Sequence, residues 1–279
     1  MKIPIAKPYF DEKEAEAAKQ VIESGWIIQG PKTQEFEKLI ADYTNTKYAI
    51  ATSNCTTALH LALLAIGIKP GDEVICPSLT FIATPNSIEH AGAKPVFVDI
   101  DEETYNINPD LIEEKITEKT KAIMLVDQIG MACDYDRILD IAKKHNLKLI
   151  ADAAPSLGAT YKGKKVGSLA DITCFSFHPR KSITTAEGGM ITTDNEEYAN
   201  KIKLLRSFGT STTPLERLQG KIFDEYTEFG YNYRITDIQS AIGVEQMKKL
   251  QEILEKRKKI AEFYNQELRK IPEIKIPFV

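Results

Sequence analysis

Three short segments of the chain carry residue types that could bind and activate a small ligand. The first, residues 52–59, reads TSNCTTAL and follows a short β-rich run. Its hydroxyl groups, together with the free backbone N–H groups at the start of a helix, would favour an anion such as a phosphate. The same residues would equally serve a plain helix cap made by Ser53, Asn54 or Thr56. Either interpretation places the segment where a strand leads into a helix.

The other two segments add a carboxylate and an amine. Asp152 closes an apolar run, which predicts a position at the carboxyl edge of the sheet, where open α/β folds bind ligands. A surface turn or a helix cap is the alternative. Lys181 lies in the polar turn of residues 174–189, CFSFHPRKSITTAEGG. Lysine amines attack carbonyls when desolvation or nearby cations favour the neutral form, and His178 and Arg180 are close in sequence. A solvated surface lysine is the alternative.

The three segments together offer an anion site, a carboxylate and a loop lysine at the ends of strands. Pyridoxal phosphate needs this set, because its phosphate, its pyridine nitrogen and its aldehyde each require one of these partners. Each part has a simple structural explanation, but the combination favours a cofactor site. Other nucleotide and hydrolase signatures are absent: the sequence contains no G-x-G-x-x-G, no Walker loop, no H-E-x-x-H and no G-x-S-x-G.

The elements that must position these residues alternate between β-rich and helical patterns. Such alternation indicates an α/β fold with a mostly parallel sheet covered on both faces, and the short connections between the last strands allow one or more of them to run antiparallel. The predicted strands are residues 48–52, 73–76, 95–100, 122–126, 148–151, 172–177 and 189–193, and the predicted intervening helices are 56–66, 81–90, 109–116 and 135–145.

The two flanks of this core differ in character. Residues 1–47 are predicted to form an arm and a helix, and residues 236–271 one long helix whose charged portion is a solvated face rather than a nucleic-acid patch. We expect an N-terminal arm at 1–30, a ligand-binding large domain at 31–235, and a linking helix at 236–279 that begins a truncated C-terminal domain.

Composition excludes several functional classes. The 279 residues carry a net charge of −4 with both signs mixed, so no nucleic-acid footprint is expected. No apolar run is long enough to cross a bilayer and no secretory signal is visible, which predicts a cytoplasmic protein. The four cysteines have no C-x-x-C spacing, so reduced thiols are expected rather than disulfides or a zinc site. They are Cys55, Cys76, Cys133 and Cys174.

Several segments, in order along nearly the whole chain, resemble the DegT-type nucleotide-sugar aminotransferases. The resemblance implies the large domain of the type I fold of pyridoxal-phosphate enzymes, a mostly parallel seven-stranded sheet flanked by helices, followed by an incomplete small C-terminal domain. Members usually continue for roughly a hundred more residues. The matching segments are 24–31 (SGWIIQGP), 53–63, 77–84 (PSLTFIAT), 152–158, 176–189 and 230–237 (GYNYRITD).

The resemblance also implies roles for individual residues. Lys181 falls on the lysine that holds the cofactor, and Asp152 on the carboxylate that pairs with the pyridinium nitrogen. Asn232 falls on a residue that reaches the phosphate of the neighbouring subunit, which implies a homodimer; on its own it would be an ordinary turn residue. Phe81 falls on the aromatic that stacks against the cofactor ring, although alone it would be taken for a core residue. Three residues fall on phosphate-binding positions: Thr56, Thr57 and Ser176.

Three positions depart from the family pattern. Cys55 and Ala186 stand where glycine is usual. Pro155 stands where many members have a Gln or His that touches the cofactor, so that contact is missing or must come from another residue.

The implied reaction is the transfer of an amino group from an amino acid, glutamate by resemblance, to the keto form of a nucleotide-linked sugar, with Lys181 also moving the proton. One alternative is a sugar dehydratase of the same fold, in which a histidine replaces the lysine. Another is a regulatory protein that binds the cofactor without catalysis. A dehydrogenase is set aside because its glycine fingerprint is absent.

Overall fold

The computed structural model describes residues 6–210 and 225–278. Helices within these residues are α1 (Glu12–Ser24), α2 (Pro31–Thr44), α3 (Cys55–Ala65), α4 (Ala83–His90), α5 (Tyr135–Lys144), α6 (Glu196–Arg206) and α7 (Asp237–Leu268). The strands are β1 (Tyr48–Thr52), β2 (Glu73–Pro77), β3 (Lys94–Val98), β4 (Thr120–Val126), β5 (Lys148–Asp152), β6 (Thr160–Tyr161), β7 (Lys164–Lys165), β8 (Ile172–Ser176) and β9 (Gly189–Thr193).

Seven strands form one sheet in the order β1-β9-β8-β5-β4-β2-β3, and β6 pairs with β7 in a separate hairpin. The neighbours from β3 across to β8 are parallel, whereas β9 is antiparallel to both β8 and β1. The mostly parallel seven-stranded α/β sheet that the sequence predicts is therefore confirmed. Its one reversed strand is β9, which follows β8 through a loop that contains no helix of the kind that usually forms the crossover between parallel strands.

Helices cover both faces because side chains along each strand point alternately to opposite sides. On β5, Ile150 packs into the layer formed with α3, α4 and α6, while Leu149 and Ala151 pack on the other side against α5. The helices α2 and α7 complete that second layer through Phe36, Ile40, Val244 and Leu250, which pack against Phe175 and Phe177.

The prediction of a helix at residues 109–116 is wrong. The segment instead forms two 3-10 turns, Pro109–Leu111 and Glu113–Lys115. Asn108 caps the first turn, and its N–H is bonded to the carbonyl of Asp99. A stretch this short gains little from helix propagation once both of its ends are held by the tertiary structure.

The N-terminal flank and the region after β9 each contain a helix that the sequence analysis did not identify. The described residues before β1 contain two helices where one was predicted, because Asp11 and Glu14 make a capping box that starts α1. The second unidentified helix is α6, capped by Asn195. The buried residues of α1 are only Glu14 and Val21, which explains the weak apolar pattern.

A single carboxylate joins the start of α7 to the start of α2. Asp237 is 2% exposed, and its oxygens accept hydrogen bonds from the N–H groups of Gly30 (2.7 Å), Lys32 (3.0 Å) and Thr33 (2.9 Å) and from the Thr33 hydroxyl (2.7 Å). Gly30 at the N-cap of α2 has no side chain to do this, so the cap comes from a distant part of the chain. Asp237 thereby holds the loop of residues 25–30 against α7.

Three further findings concern the part of the chain that the structure describes. No helix there is long and apolar enough to cross a membrane. No group of three or more His, Cys, Asp or Glu side chains is arranged there to hold a metal ion. All four cysteines are free in the structure.

Candidate active site

One edge of the sheet brings together the residues that the sequence singled out. Thr52 at the end of β1 pairs with Gly189 at the start of β9, and Gly189 pairs with Ser176 at the end of β8. Asp152, the last residue of β5, pairs with Cys174 two residues before the end of β8. Segments far apart in sequence are therefore neighbours at this edge, as the α/β prediction requires.

The carboxylate of Asp152 is 5% exposed and accepts hydrogen bonds from the Thr84 hydroxyl (2.8 Å) and the Ala154 N–H (3.2 Å). Burial raises the pKa of Asp152 above its ordinary value, while these two hydrogen bonds and the Lys181 ammonium each lower it. The net rise means that the surroundings do not fully compensate the buried negative charge. A cationic group of a ligand beside this carboxylate would supply the missing compensation.

Lys181 is half-buried in the loop between β8 and β9, and its N–H donates to the carbonyl of His178 at 2.9 Å. Its ammonium is close enough to lower the pKa of both Asp152 and Cys55. Burial and the neighbouring Asp152 and Cys174 outweigh this effect and raise the pKa of the Cys55 thiol well above its usual range. The Lys181 ammonium is therefore near enough to the carboxylate to favour its ionised form.

The start of α3 combines a helix cap with unused donors. Asn54 and Thr57 form a capping box, in which the Thr57 N–H donates to Oδ1 of Asn54 (2.9 Å) and the Thr57 hydroxyl accepts from the Asn54 N–H (3.3 Å). The Thr57 hydroxyl also donates to the Asn54 carbonyl (2.8 Å). The capping interpretation of this segment is thus correct for Asn54. The N–H groups of Cys55 and Thr56 have no acceptor within the helix, and the half-buried Thr56 hydroxyl has no described partner.

A glycine is required where β9 passes this helix terminus. A Cβ on Gly189 would lie 2.5 Å from the carbonyl carbon and oxygen of Asn54 and 2.6 Å from the Thr52 hydroxyl. The missing side chain lets the Lys181 loop return to the sheet directly beside the start of α3. This close approach explains why Gly189, the second glycine of the Glu-Gly-Gly turn, carries no side chain.

The remaining predicted residues lie in three different environments. Ser176 is 8% exposed at the end of β8, and its hydroxyl accepts from the His178 N–H at 3.4 Å. Phe81 lies in the loop before α4 and is 77% exposed, so it is not a core residue. Asn232 is exposed on a segment whose backbone forms a bridge with Ser207.

The segment that carries Asn232 is fixed from both sides of that residue. The rings of Tyr231 and Tyr233 stack with centroids 4.9 Å apart, and the Tyr233 hydroxyl lies 3.2 Å from Nδ1 of His60 on α3. The carbonyl of Tyr233 accepts from the Ser53 N–H at 2.8 Å. Asn232 is thus presented outward by a segment tied to the start of α3.

The sequence profile of the DegT/DnrJ/EryC1/StrS aminotransferase family matches residues 8–278. The chain belongs to this family. Members are pyridoxal-phosphate-dependent sugar aminotransferases, and this enzyme class and cofactor are those of the present chain.

Three relatives illustrate the match. A GDP-perosamine synthase from Caulobacter vibrioides is 47% identical over 97% of this chain and 71% of its own length. The spore coat polysaccharide biosynthesis protein SpsC of Bacillus subtilis is 43% identical over 99% of this chain and 72% of its own length. The solved structure of a putative sugar aminotransferase, Spr1654 from Streptococcus pneumoniae, in its PMP form, has a TM-score of 0.91 and 36% identity, over 96% of this chain and 72% of that one.

The residues of this DegT-family member suit the family's cofactor. The uncompensated carboxylate of Asp152 fits a protonated ring nitrogen, the free donors at the start of α3 fit a phosphate, and Lys181 supplies an amine for an aldehyde. These three groups come from separate elements and meet at one edge of the sheet. Their chemistry therefore agrees with the family assignment.

Two departures from the family pattern have structural consequences. Ala186 adopts φ of +69° in an exposed turn, a left-handed conformation that strains any residue with a Cβ. Pro155 approaches Gly130, whose missing Cβ would be 3.2 Å from the Pro155 carbonyl oxygen. At the third departure, burial and the charge of Asp152 raise the pKa of the Cys55 thiol, while the Lys181 ammonium lowers it.

Two buried residues at this edge had been given no role from the sequence. Thr84 is fully buried on α4, and its hydroxyl donates to Asp152. Its place in segment 77–84, which resembles the family, could have identified it as a site residue. Asp127 follows β4 directly and is fully buried. Its oxygens accept from the Cys133 N–H (2.9 Å), the Tyr135 hydroxyl (3.0 Å) and the Ser156 hydroxyl (3.1 Å). It thus joins the loops that follow β4 and β5.

Asp127 should make the stability of the fold depend on pH. Burial raises its pKa from the usual 3.8 to about 6, against the opposing hydrogen bonds. The folded state then binds a proton more tightly than the unfolded state, so the Asp127 contribution to stability is greatest below about pH 4 and falls as pH rises towards 6. In urea unfolding from pH 4 to 7, we expect Asp127→Asn to gain about 2–3 kcal/mol relative to the unsubstituted protein across this window. Parallel pH profiles of the two proteins would contradict the assignment.

Proposed function

We propose that the protein transfers the amino group of an amino acid, L-glutamate, to the keto carbon of a nucleotide-linked sugar, in the biosynthesis of amino sugars for cell-surface polysaccharide. The observation that carries this proposal is the placement of Lys181 within electrostatic reach of the buried Asp152 carboxylate, beside the free donors of α3. The substrate class is supported by the relatives, which include a GDP-perosamine synthase and a spore coat polysaccharide protein.

The cofactor would be held by residues from four elements. Asp152 would pair with the ring nitrogen and Phe81, exposed and without a core role, would stack against the ring. The hydroxyls of Thr56 and Ser176 and the first N–H groups of α3 would hold the phosphate. Thr57 would join them only by releasing its hydroxyl from Asn54. When bound, pyridoxal phosphate supplies an aldehyde for the amine and an electron sink for the carbon that loses its proton.

Lys181 has two tasks in this proposal. Its amine would hold the cofactor at the aldehyde. When not attached to the cofactor, Nζ would act as the general base that takes the proton from the carbon bearing the amino group, which requires it to stay close to that carbon. Asp152 would keep the ring nitrogen protonated because its buried negative charge favours a cation beside it.

We further propose a homodimer in which Asn232 reaches the phosphate in the neighbouring subunit. The exposed side chain and the stacked tyrosines on either side support this, since the segment is rigid while Asn232 itself points away from the core. Residues 31–235 would form the cofactor-binding large domain, with residues 1–30 as an arm and 236–279 leading into a smaller domain.

The test is the first half-reaction, followed by transfer to a sugar. Purified protein loaded with pyridoxal phosphate is mixed with L-glutamate, and the loss of the cofactor's long-wavelength absorption band and the appearance of 2-oxoglutarate are measured. A panel of keto-sugar nucleotides then reports the acceptor by mass spectrometry. Binding of the cofactor with no half-reaction on any amino donor would favour a regulatory protein, and loss of water from the sugar without amination would favour a dehydratase.

A further inference from the structure

The loop that carries Lys181 is closed at its base by backbone hydrogen bonds, and Ile183 near the end of its tip is buried in the core. At the base, the N–H of Phe177 donates to the Gly188 carbonyl (2.9 Å), and the N–H of Thr185 donates to the Phe177 carbonyl (3.0 Å). Between these bonds lie residues 178–184, with the lysine in the middle. Among the described residues, the only hydrogen bonds that this tip forms with an element other than the adjoining strand β8 are with α7.

Two side chains of α7 make those hydrogen bonds. Arg257 Nη2 donates to the carbonyl oxygen of Lys181 at 2.9 Å, and Gln246 Oε1 accepts from the N–H of Thr184 at 3.3 Å. Eleven residues separate Gln246 from Arg257, which is close to three helical turns, so both side chains leave the same face of α7. A cavity of about 140 Å³ lies between this face, the loop tip and residues 7–9. Besides the two hydrogen bonds, Ile183 supports the tip on this side by packing in the core cluster that includes Val244 and Leu250 of α7.

Gln246 is itself held firmly. Its Nε2 donates to the carbonyl of Tyr9 (2.9 Å) and to Glu14 Oε1 (2.7 Å), which fixes the amide so that its oxygen faces Thr184. Glu14 is buried and paired with Lys249 of α7 at 2.7 Å. The N-terminal helix α1 and the long helix α7 thus form one rigid support behind the Lys181 loop.

We infer that Arg257 is a positioning residue for Lys181. Its guanidinium fixes the carbonyl of the lysine itself, and hence the point from which the amine-bearing side chain extends. The amide of Gln246 anchors the loop three residues further on. This inference rests on the proposed role of Lys181 as the residue that binds the cofactor and moves the proton. Arginine suits the task because its planar, always charged group donates in a fixed direction.

The experiment compares Arg257→Gln and Arg257→Lys with Lys258→Gln, the adjacent exposed cation on α7, as the matched control. Full-length protein is loaded with pyridoxal phosphate, and two quantities are measured: the visible circular dichroism of the bound cofactor and the rate of the half-reaction with L-glutamate. Because a misplaced reactive group slows the chemical step, Arg257→Gln should lower the limiting rate about 10- to 100-fold and alter the dichroism band. The glutamate concentration for half-saturation should change little.

Arg257 is exposed, so its variants should fold, which the thermal midpoint checks. Arg257→Lys should recover part of the rate, because an ammonium can donate to the same carbonyl. Arg257→Gln and Lys258→Gln proteins with equal rates and equal dichroism would overturn the inference. Borohydride reduction of the unsubstituted protein, with mapping of the labelled peptide, distinguishes a failure of the proposed function from a failure of the role of Arg257. A label absent from Lys181 overturns the proposed function as well, whereas a label on Lys181 with unaffected variants overturns only the role of Arg257.

Discussion

Lys181→Ala should abolish covalent attachment of pyridoxal phosphate and lower amino-group transfer at least about 10³-fold, because the same amine captures the cofactor and moves the proton. Borohydride reduction followed by peptide mapping measures attachment, and 2-oxoglutarate formation measures transfer. Lys164→Ala, which removes an exposed lysine on the β6–β7 hairpin, is the matched control and should leave both unchanged. Substantial turnover in the Lys181→Ala protein would rule out the proposed mechanism.

The Lys181→Ala protein also tests whether two subunits contribute residues to one active site. If Asn232 reaches the phosphate of the neighbouring subunit, a mixture of Lys181→Ala and Asn232→Ala proteins contains dimers with one intact site, formed by Lys181 of one chain and Asn232 of the other. Activity should therefore rise above that of either protein alone after mixing. If each chain builds its own site, mixing leaves every site with one lesion and restores nothing.

Asp152→Asn should separate catalysis from stability. The substitution keeps an oxygen for the Thr84 hydroxyl but removes the charge that holds the ring nitrogen protonated, so we expect transfer to fall by about 10²- to 10³-fold. Because burial raises the pKa of Asp152, its ionised form is penalised in the cofactor-free protein at neutral pH. Loss of that charge should leave the thermal midpoint of the cofactor-free protein equal or higher.

Asp127→Asn is the matched control for this experiment, because Asp127 is also a buried aspartate at the carboxyl edge of the next strand. It should alter the pH dependence of stability without the same loss of transfer at pH values where the variant is folded. Equal losses of activity in the two variants would argue that Asp152 acts only through the structure of the edge. A marked fall in the thermal midpoint of the Asp152→Asn protein would also argue that Asp152 acts only through the structure of the edge.

Local sequence patterns were enough to predict most of the fold. Short β-branched runs and amphipathic stretches report which residues face a core, because burial imposes a period of two on strands and about 3.6 on helices. Strands β1 and β9 were located to the residue, and Asp152 and Lys181 were singled out by their places at strand ends. The family resemblance then supplied roles for Phe81 and Asn232, whose local surroundings suggested none.

Only the tertiary structure decided which distant groups meet. The contacts of Asp237 with the start of α2 span 204 to 207 residues, and that of Arg257 with Lys181 spans 76. Neither contact leaves a periodic trace in the sequence, because a hydrogen bond depends on where two chain segments lie after packing. The same holds for the failed helix at 109–116 and for the position of β9 between β1 and β8 in the sheet. The sequence by itself predicted most of the elements and the candidate reactive residues, whereas packing determined which distant groups they meet.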